Sequence, residues 1–199
     1  MNPALPRTRV WLGFILAYCV LMNMLSRGIG ETFAVFLLPL AEEFSWSRAS
    51  LIGAYSTYMI GYGLCAPFAG VVFSRMGARL TYTSGLICLG LGYVGAAFAQ
   101  SVLHLYLCIG LLGALGAASI GMVPTAALVR RWFPTRLTTA LGVAYAGLGG
   151  GVLLMAPLSQ TLIEHFGWRT SYVYVAAIPL VFVPVVMLLP WSRIAGATS

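Results

Sequence analysis

Two oppositely charged side chains lie inside the first apolar run of the sequence, where charge is energetically costly. Arg27 and Glu31 are four residues apart, and a helix would place both on the same face as Asn23. An arginine at mid-span costs roughly 2.5–3.5 kcal/mol on membrane-insertion scales, and such residues usually face a bundle interior or a wet cavity. We therefore expect Arg27 to bind an anionic group of a substrate, while Glu31 takes up a proton or tunes the arginine. The alternative is an internal ion pair near the outer end of the helix that fixes only packing or gating.

Tyrosines at helical spacing could add hydrogen bonds to such a site. Tyr55, Tyr58 and Tyr62 form a stripe in the second apolar run, and Tyr145 lies in the fifth. A phenol can hydrogen-bond a carboxylate or a carbonyl in a cavity, although a stripe of this kind is more often packing with satisfied hydroxyls. The candidate substrate-binding residues are Asn23, Arg27, Glu31, Tyr58 and Tyr145.

The remaining polar and sulfur-containing residues indicate no reaction chemistry. The sequence contains no phosphate-binding Walker loop, no metal-ligand cluster and no credible nucleophile–base pair. Its four cysteines all lie within apolar runs, where they are interpreted as packing residues (Cys19, Cys65, Cys88 and Cys108). We predict that the protein is not an enzyme, carries no metal and needs no cofactor.

The elements that must position these residues are membrane helices. The 199 residues are 60% hydrophobic and 8% charged, with a mean hydropathy of +0.94, whereas soluble domains carry roughly 25% charged residues. Six stretches approach the length of about 20 apolar residues that a span needs. We predict an all-α membrane protein, a bundle of six transmembrane helices in residues 11–189, with residues 1–10 and 190–199 as terminal segments. The helices cover about 11–37, 48–73, 80–98, 102–129, 137–163 and 170–189.

The arginines predict the orientation of these helices. With the N-terminus inside, eight arginines lie on the cytoplasmic side and two lie outside, in agreement with the positive-inside rule. The cytoplasmic set is Arg7, Arg9, Arg75, Arg79, Arg130, Arg131, Arg136 and Arg193, and the outer set is Arg48 and Arg169. We expect both termini in the cytoplasm. The net charge of +7 follows from this topology, so a lipid bilayer and not a nucleic acid is the expected partner.

A weak internal repeat links the two halves of the chain. The segment that begins Gly77-Ala-Arg-Leu-Thr-Tyr corresponds to the one that begins Gly167-Trp-Arg-Thr-Ser-Tyr, and the two fall on opposite sides of the membrane. This predicts an inverted repeat of three plus three helices. Small residues are also frequent in the fourth and fifth helices. They permit either close static packing or movement between smooth surfaces (Gly110, Gly113, Gly116, Ala117, Gly121, Gly142, Ala146, Gly147, Gly150 and Gly151).

The connection between the second and third helices resembles a known signature. It begins at Gly70 and continues Ser74-Arg75-Met-Gly77-Ala-Arg79, which is similar to the G-x-x-x-D-R-x-G-x-R motif of major facilitator transporters, with Ser74 in place of the usual aspartate. The resemblance implies that Gly70, Arg75, Gly77 and Arg79 form a cytoplasmic gating loop, and the serine puts its charge network in doubt.

Further segments are similar to bacterial monocarboxylate-porter-like and oxalate/formate-antiporter-like members of that family. They are Phe44-Ser-Trp-Ser-Arg48, Arg131-Trp-Phe with Arg136 and Ala140-Leu-Gly142, the glycine-rich fifth helix with Pro157, and Gly167-Trp-Arg169. The resemblance implies a secondary active transporter of a small organic anion such as a monocarboxylate. It would work by alternating access, either as a proton symporter or as an exchanger, with a midplane site lined by helices 1, 2, 4 and 5. It would reside in a bacterial inner membrane.

The length of the chain raises a question about completeness. Complete family members have two six-helix halves, so the resemblance implies that this chain needs a second half or a second copy. The alternative is a truncated or regulatory membrane subunit without transport activity of its own. A membrane-embedded enzyme is a third possibility, for which the residues offer no nucleophile–base pair.

Overall fold

The computed structural model describes the backbone of residues 5–194 and the side chains of residues 10–191 and 194. The side chains of Arg7, Arg9 and Arg193, on which part of the predicted orientation depends, lie outside this description. The described backbone is helical apart from short connections. Its helices are α1 (Leu5–Glu31), α2 (Phe33–Phe44), α3 (Arg48–Ala97), α4 (Val102–Leu105), a π-helical segment (Tyr106–Gly113), α5 (Ala114–Ile120), α6 (Met122–Trp132), α7 (Leu137–Leu188) and α8 (Trp191–Ile194).

Four helical stretches are long and apolar enough to cross a membrane, namely Val10–Phe44, Arg48–Ala97, Val102–Trp132 and Leu137–Leu188. The first comprises α1 and α2, and the third comprises the elements from α4 to α6. The second and fourth contain 50 and 52 residues. At 1.5 Å per residue each would be about 75 Å long, more than twice the roughly 30 Å hydrocarbon core of a bilayer.

A single glycine divides each of the two longest helices. Gly77 has φ 82° and ψ 169°, and Gly167 has φ 74° and ψ 163°. This backbone conformation is essentially restricted to glycine. We call the resulting segments α3a (48–76), α3b (78–97), α7a (137–166) and α7b (168–188). The predicted connections at 74–79 and 164–169 are therefore mostly helical, and each turn takes place at one residue.

Alanine at either junction glycine is expected to destabilise the fold, because an L-residue is strained at these angles. The expected cost is about 1–3 kcal/mol for Gly77→Ala and for Gly167→Ala, measured as a lower midpoint of thermal unfolding in detergent. Gly63→Ala is the matched control, since Gly63 lies inside α3a with open space around its Cα. If the control lost as much stability as the two junction variants, backbone strain would not be the cause.

The two junctions share more than their backbone angles. The Thr81 hydroxyl donates to the Gly77 carbonyl at 2.9 Å, and the Ser171 hydroxyl donates to the Gly167 carbonyl at 2.7 Å. The tyrosine that follows each of these residues, Tyr82 or Tyr172, is fully buried. The weak sequence repeat therefore corresponds to two turns of the same local structure.

Small residues bring α1 and α7a into backbone contact. A Cβ atom added at Gly147 would overlap the backbone of Val20, and one added at Gly151 would overlap that of Met24. A Cβ atom added at Gly28 would lie 2.8 Å from the Gly151 carbonyl oxygen. Close approach through small residues is the usual mode of helix packing in lipid. The neighbouring Gly142 and Gly149 have open space instead. The glycines of the fifth predicted helix therefore lie on two surfaces, one packed against α1 and one open.

The predicted fourth helix is irregular. A π-helical segment occupies Tyr106–Gly113, and Gly121 interrupts the chain between α5 and α6 with φ −88° and ψ −143°. Pro124, three residues after Gly121, has no backbone N–H to donate, which is a recognised cause of a kink. The prediction of this helix over 102–129 is right in extent, but the sequence pattern did not indicate either irregularity.

Candidate functional site

The predicted charged pair forms and is accessible. Arg27 Nη2 lies 2.7 Å from Glu31 Oε1, and the two side chains are 37% and 21% exposed. Arg27 lies near the middle of the apolar stretch Val10–Phe44, far from both of its ends. Charged residues inside a membrane span usually face the interior of a bundle or a wet cavity and not lipid.

Tyr55 of α3a completes the coordination of Glu31. Its hydroxyl donates to Glu31 Oε2 at 2.5 Å, so both carboxylate oxygens have a donor. The Tyr55 ring stacks on Phe33, with centroids 6.2 Å apart. Tyr55 belongs to the predicted tyrosine stripe but was not among the candidate site residues, because its spacing alone does not distinguish it from Tyr58.

The second nitrogen of the Arg27 guanidinium has a weak partner. Arg27 Nη1 lies 3.8 Å from the sulfur of Met59, which is one turn after Tyr55 in α3a. A thioether is a poor acceptor, whereas a guanidinium has five donors in a planar fork. This edge of Arg27 is therefore chemically suited to a further anion.

The helix is locally tightened immediately after this site, where Thr32 keeps right-handed helical angles of φ −60° and ψ −22°. Thr32 separates α1 from α2, and its amide and hydroxyl both donate to the Ile29 carbonyl, at 3.2 and 2.6 Å. The hydroxyl of the buried Tyr93 donates to the same carbonyl at 2.6 Å.

Asn23 lies apart from the Arg27–Glu31 pair. It is fully buried, and its amide group donates to the Cys19 carbonyl at 2.9 Å and to the Thr125 hydroxyl of α6 at 3.0 Å. Ser26, which the sequence analysis did not single out, donates to the Ala117 carbonyl at 2.8 Å. Together these two residues join α1 to both sides of the break at Gly121. The structure thus divides the predicted polar face into a buried pair and an exposed charged pair.

The two tyrosines among the candidate residues are in different environments. Tyr58 is buried, and its hydroxyl packs so closely on Gly30 that the glycine could carry no side chain without displacing it. Tyr145 is half-buried in α7a and donates to the Met122 carbonyl at 3.3 Å, next to the break at Gly121. The structure therefore places Tyr58 behind the charged pair and Tyr145 beside the kinked helix.

The predicted gating loop surrounds the junction at Gly77. Gly70 packs against Val123 of α6, and Arg75 and Arg79 are exposed on either side of the junction. The Ser74 hydroxyl, in place of the usual acid, donates to the Val71 carbonyl at 2.9 Å.

At the opposite end of the molecule, an aromatic and charged cluster joins three helices. Glu43 of α2 accepts hydrogen bonds from the indole nitrogen of Trp168 and, at 2.9 Å, from Arg169 of α7b. Arg169 also donates to the Ala97 carbonyl of α3b at 3.4 Å, and its guanidinium lies over the ring of Trp168. This cluster fixes the ends of α2, α3b and α7b relative to one another.

Among the residues that the structure describes, no three histidine, cysteine or acidic side chains are grouped so as to hold a metal ion. The candidate site consists of the partly exposed side chains of Arg27, Glu31 and Tyr55. Such a set can bind an anion and exchange a proton, and it offers no activated nucleophile.

The sequence is similar to known membrane transporters. The family model of the Major Facilitator Superfamily matches residues 16–196. Monocarboxylate transporter 11 of mouse is 33% identical over 195 residues, which cover 98% of this chain and 43% of that protein. Human monocarboxylate transporter 12 is 31% identical over 159 residues (80% and 31%), and bovine monocarboxylate transporter 13 is 32% identical over 172 residues (85% and 40%).

The chain spans less than half the length of these curated relatives. The relatives are membrane transporters and not enzymes, which confirms the prediction that the protein has no enzymatic function. The resemblance drawn from the motifs around Gly77 and Gly167 is likewise confirmed. With its apolar membrane-spanning helices, the chain is a multi-pass membrane protein that belongs to the Major Facilitator Superfamily.

Proposed function

We propose that the chain forms one half of a secondary active transporter that carries a small monocarboxylate by alternating access. The observation that carries this proposal is the partly exposed Arg27–Glu31 pair at the middle of an apolar span. The names of the similar transporters indicate the same class of substrate.

Arg27 is the proposed anion-binding residue. The Nη1 edge that now meets only the Met59 sulfur would donate to the carboxylate of the substrate. A charge-assisted hydrogen bond of this kind contributes about 1.5–3 kcal/mol, enough for millimolar to micromolar binding when combined with apolar contacts.

Glu31 is the proposed proton acceptor. A proton taken up by its carboxylate removes the negative charge that now neutralises Arg27, and the guanidinium is then free to pair with a substrate anion. Release of the proton on the other side restores the Arg27–Glu31 pair and expels the anion. Tyr55 holds Glu31 in place, because its hydroxyl can donate to the carboxylate and still contact the neutral acid.

We propose six membrane crossings arranged as an inverted three-plus-three repeat. The junctions at Gly77 and Gly167 support it, because they have the same geometry and lie at opposite ends of α3b, whose last residue Ala97 contacts Arg169.

The arginine distribution supports cytoplasmic termini, and we assign the protein to a bacterial inner membrane. The site would be lined by α1, α3a, the α5–α6 helix and α7a, with Tyr145 at its edge and with Asn23 and Tyr58 supporting it from behind.

A second six-helix unit would complete the cavity. Arg27 and Glu31 are exposed on one side of the unit, and the related transporters are more than twice as long as this chain. The second unit is either another polypeptide segment or another copy of this chain. Opening and closing would involve the loop at Gly70, Arg75, Gly77 and Arg79.

The proposal is tested by uptake of radiolabelled lactate into proteoliposomes that contain the purified chain, together with the thermal stabilisation of the chain by lactate. We expect a midpoint that rises with lactate concentration, since a ligand stabilises the state it binds, and uptake above empty liposomes where a second copy of the chain supplies the other half. If neither uptake nor stabilisation occurred with well-folded protein, the chain would be a membrane subunit without a transport site of its own.

Glu31→Gln is expected to uncouple uptake from the proton gradient. Glutamine resembles the protonated acid, so it leaves Arg27 able to bind the anion but cannot release a proton. In the wild type, each pH unit by which the outside is more acidic than the vesicle lumen should raise lactate accumulation up to about tenfold. The variant should show no such stimulation. Tyr55→Phe is the companion variant, and it should weaken coupling while retaining it. Gradient-driven accumulation by Glu31→Gln equal to that of the wild type would exclude Glu31 as the proton carrier.

A further inference from the structure

Opposite charges are segregated to the two ends of the molecule. The sequence has four acidic residues, all glutamates: Glu31 is paired at mid-span, and Glu42, Glu43 and Glu164 lie toward the end that contains the Arg169 cluster. The other end carries the exposed arginines Arg75, Arg79, Arg130, Arg131 and Arg136. The 20 residues of α3b separate the two ends by about 30 Å, which is several Debye lengths at physiological ionic strength.

Packing at the basic end holds two chain connections together. The Arg131 guanidinium lies 5.2 Å from the centre of the Phe73 ring, and Gly70 packs on Val123. The end of α6, which carries Arg130 and Arg131, is thereby held against the junction flanked by Arg75 and Arg79. Among the residues that the structure describes, Arg75 and Arg79 have no carboxylate within ion-pair distance, and the pairs Arg27–Glu31 and Arg169–Glu43 lie elsewhere.

The surface beside Arg75 and Arg79 is apolar. Val71, Met76 and Leu80 are exposed by 50%, 59% and 51%. A soluble anion would gain nothing from these side chains, whereas a phospholipid would place its phosphate on the arginines and its acyl chains along the apolar helix surface. The positive charge of Arg75 and Arg79 beside exposed apolar residues therefore favours a lipid.

We infer that the Gly77 junction is a binding site for an anionic phospholipid headgroup, with Arg75 and Arg79 as its principal contacts and Arg130 beside them. The lipid phosphate supplies the negative charge that an acid in place of Ser74 would otherwise provide. This inference depends on the membrane location of the chain and not on the proposed transport activity.

The test is native mass spectrometry of the purified full-length chain after incubation with equal amounts of phosphatidylglycerol and phosphatidylcholine of the same acyl composition. We expect the wild type to retain phosphatidylglycerol preferentially. Arg75→Gln and Arg79→Gln should each reduce that preference by up to about fivefold, the effect of one basic residue at a membrane surface. Arg75→Lys should retain the preference, because it keeps the charge. Arg48→Gln is the matched control, since Arg48 is an exposed cation at the other end of α3a.

Three results would overturn the inference. One is equal retention of the two lipids by the wild type, and another is a loss of preference in Arg48→Gln as large as that in Arg75→Gln. The third is complete displacement of phosphatidylglycerol by excess inorganic phosphate, which would show that the site takes a free anion. Because lipid retention is measured without a substrate, these results are independent of whether the chain transports lactate.

Discussion

Gly151→Leu is expected to separate α1 from α7a and to unfold the chain at moderate temperature. A Cβ atom at this position would overlap the backbone of Met24, and backbone cannot move aside as a flexible side chain can. Overpacking typically costs 1–3 kcal/mol, and we expect about 3 kcal/mol or more here because the clash involves main-chain atoms. The measurement is the midpoint of thermal unfolding in detergent, followed by the loss of the monodisperse peak in gel filtration.

Gly149→Leu is the matched control for this experiment. Gly149 lies two residues earlier on the same helix, and the space around its Cα is open. The control also replaces a glycine of α7a by leucine, so its free energy of unfolding should stay within about 0.5 kcal/mol of the wild-type value. Equal loss of stability in both variants would indicate that leucine in α7a is harmful in general, and the proposed backbone contact would be wrong.

The second large effect is expected at the proposed anion site. Arg27→Gln removes the guanidinium, and lactate should bind about 10- to 150-fold more weakly, which corresponds to the 1.5–3 kcal/mol of a charge-assisted hydrogen bond. Binding is measured by the lactate concentration that stabilises the chain against heat and by the KM of uptake.

Removal of Arg27 alone leaves Glu31 with Tyr55 as its one remaining hydrogen-bond donor, which could itself destabilise the chain. The double variant Arg27→Gln with Glu31→Gln avoids this problem, because neither residue then carries a charge. It should fold and fail to bind lactate. Arg48→Gln, which removes an exposed arginine remote from the site, should bind normally. Unchanged lactate binding by the double variant would contradict the assignment of Arg27 as the anion-binding residue.

The sequence predicted those parts of the fold that depend on local spacing. Arg27 and Glu31 pair because residues four apart meet on any helix. The second predicted helix begins at residue 48 as expected, and Ser47 caps it by accepting a hydrogen bond from the Ser50 amide at 3.1 Å. Such features require only the period of the helix and the chemistry of one or two side chains.

Features that depend on distant parts of the chain could not be predicted in this way. Asn23 faces Thr125, 102 residues away, and that contact draws it out of the cavity it was expected to share with Arg27. Tyr55 meets Glu31 only because α1 and α3a cross at that point. The π-helical segment Tyr106–Gly113 likewise has no signature in its composition, since its residues suit an ordinary membrane helix.

The Glu43–Trp168–Arg169 cluster has a consequence for how the unit can deform. Because it ties together α2, α3b and α7b at one face, sliding of α2 and α3b past α7b would break two hydrogen bonds to Glu43 and the contact with Ala97 at once. That face resists internal shear. Any large motion of this protein should therefore be a tilt of the whole unit as a rigid body, with its pivot located elsewhere.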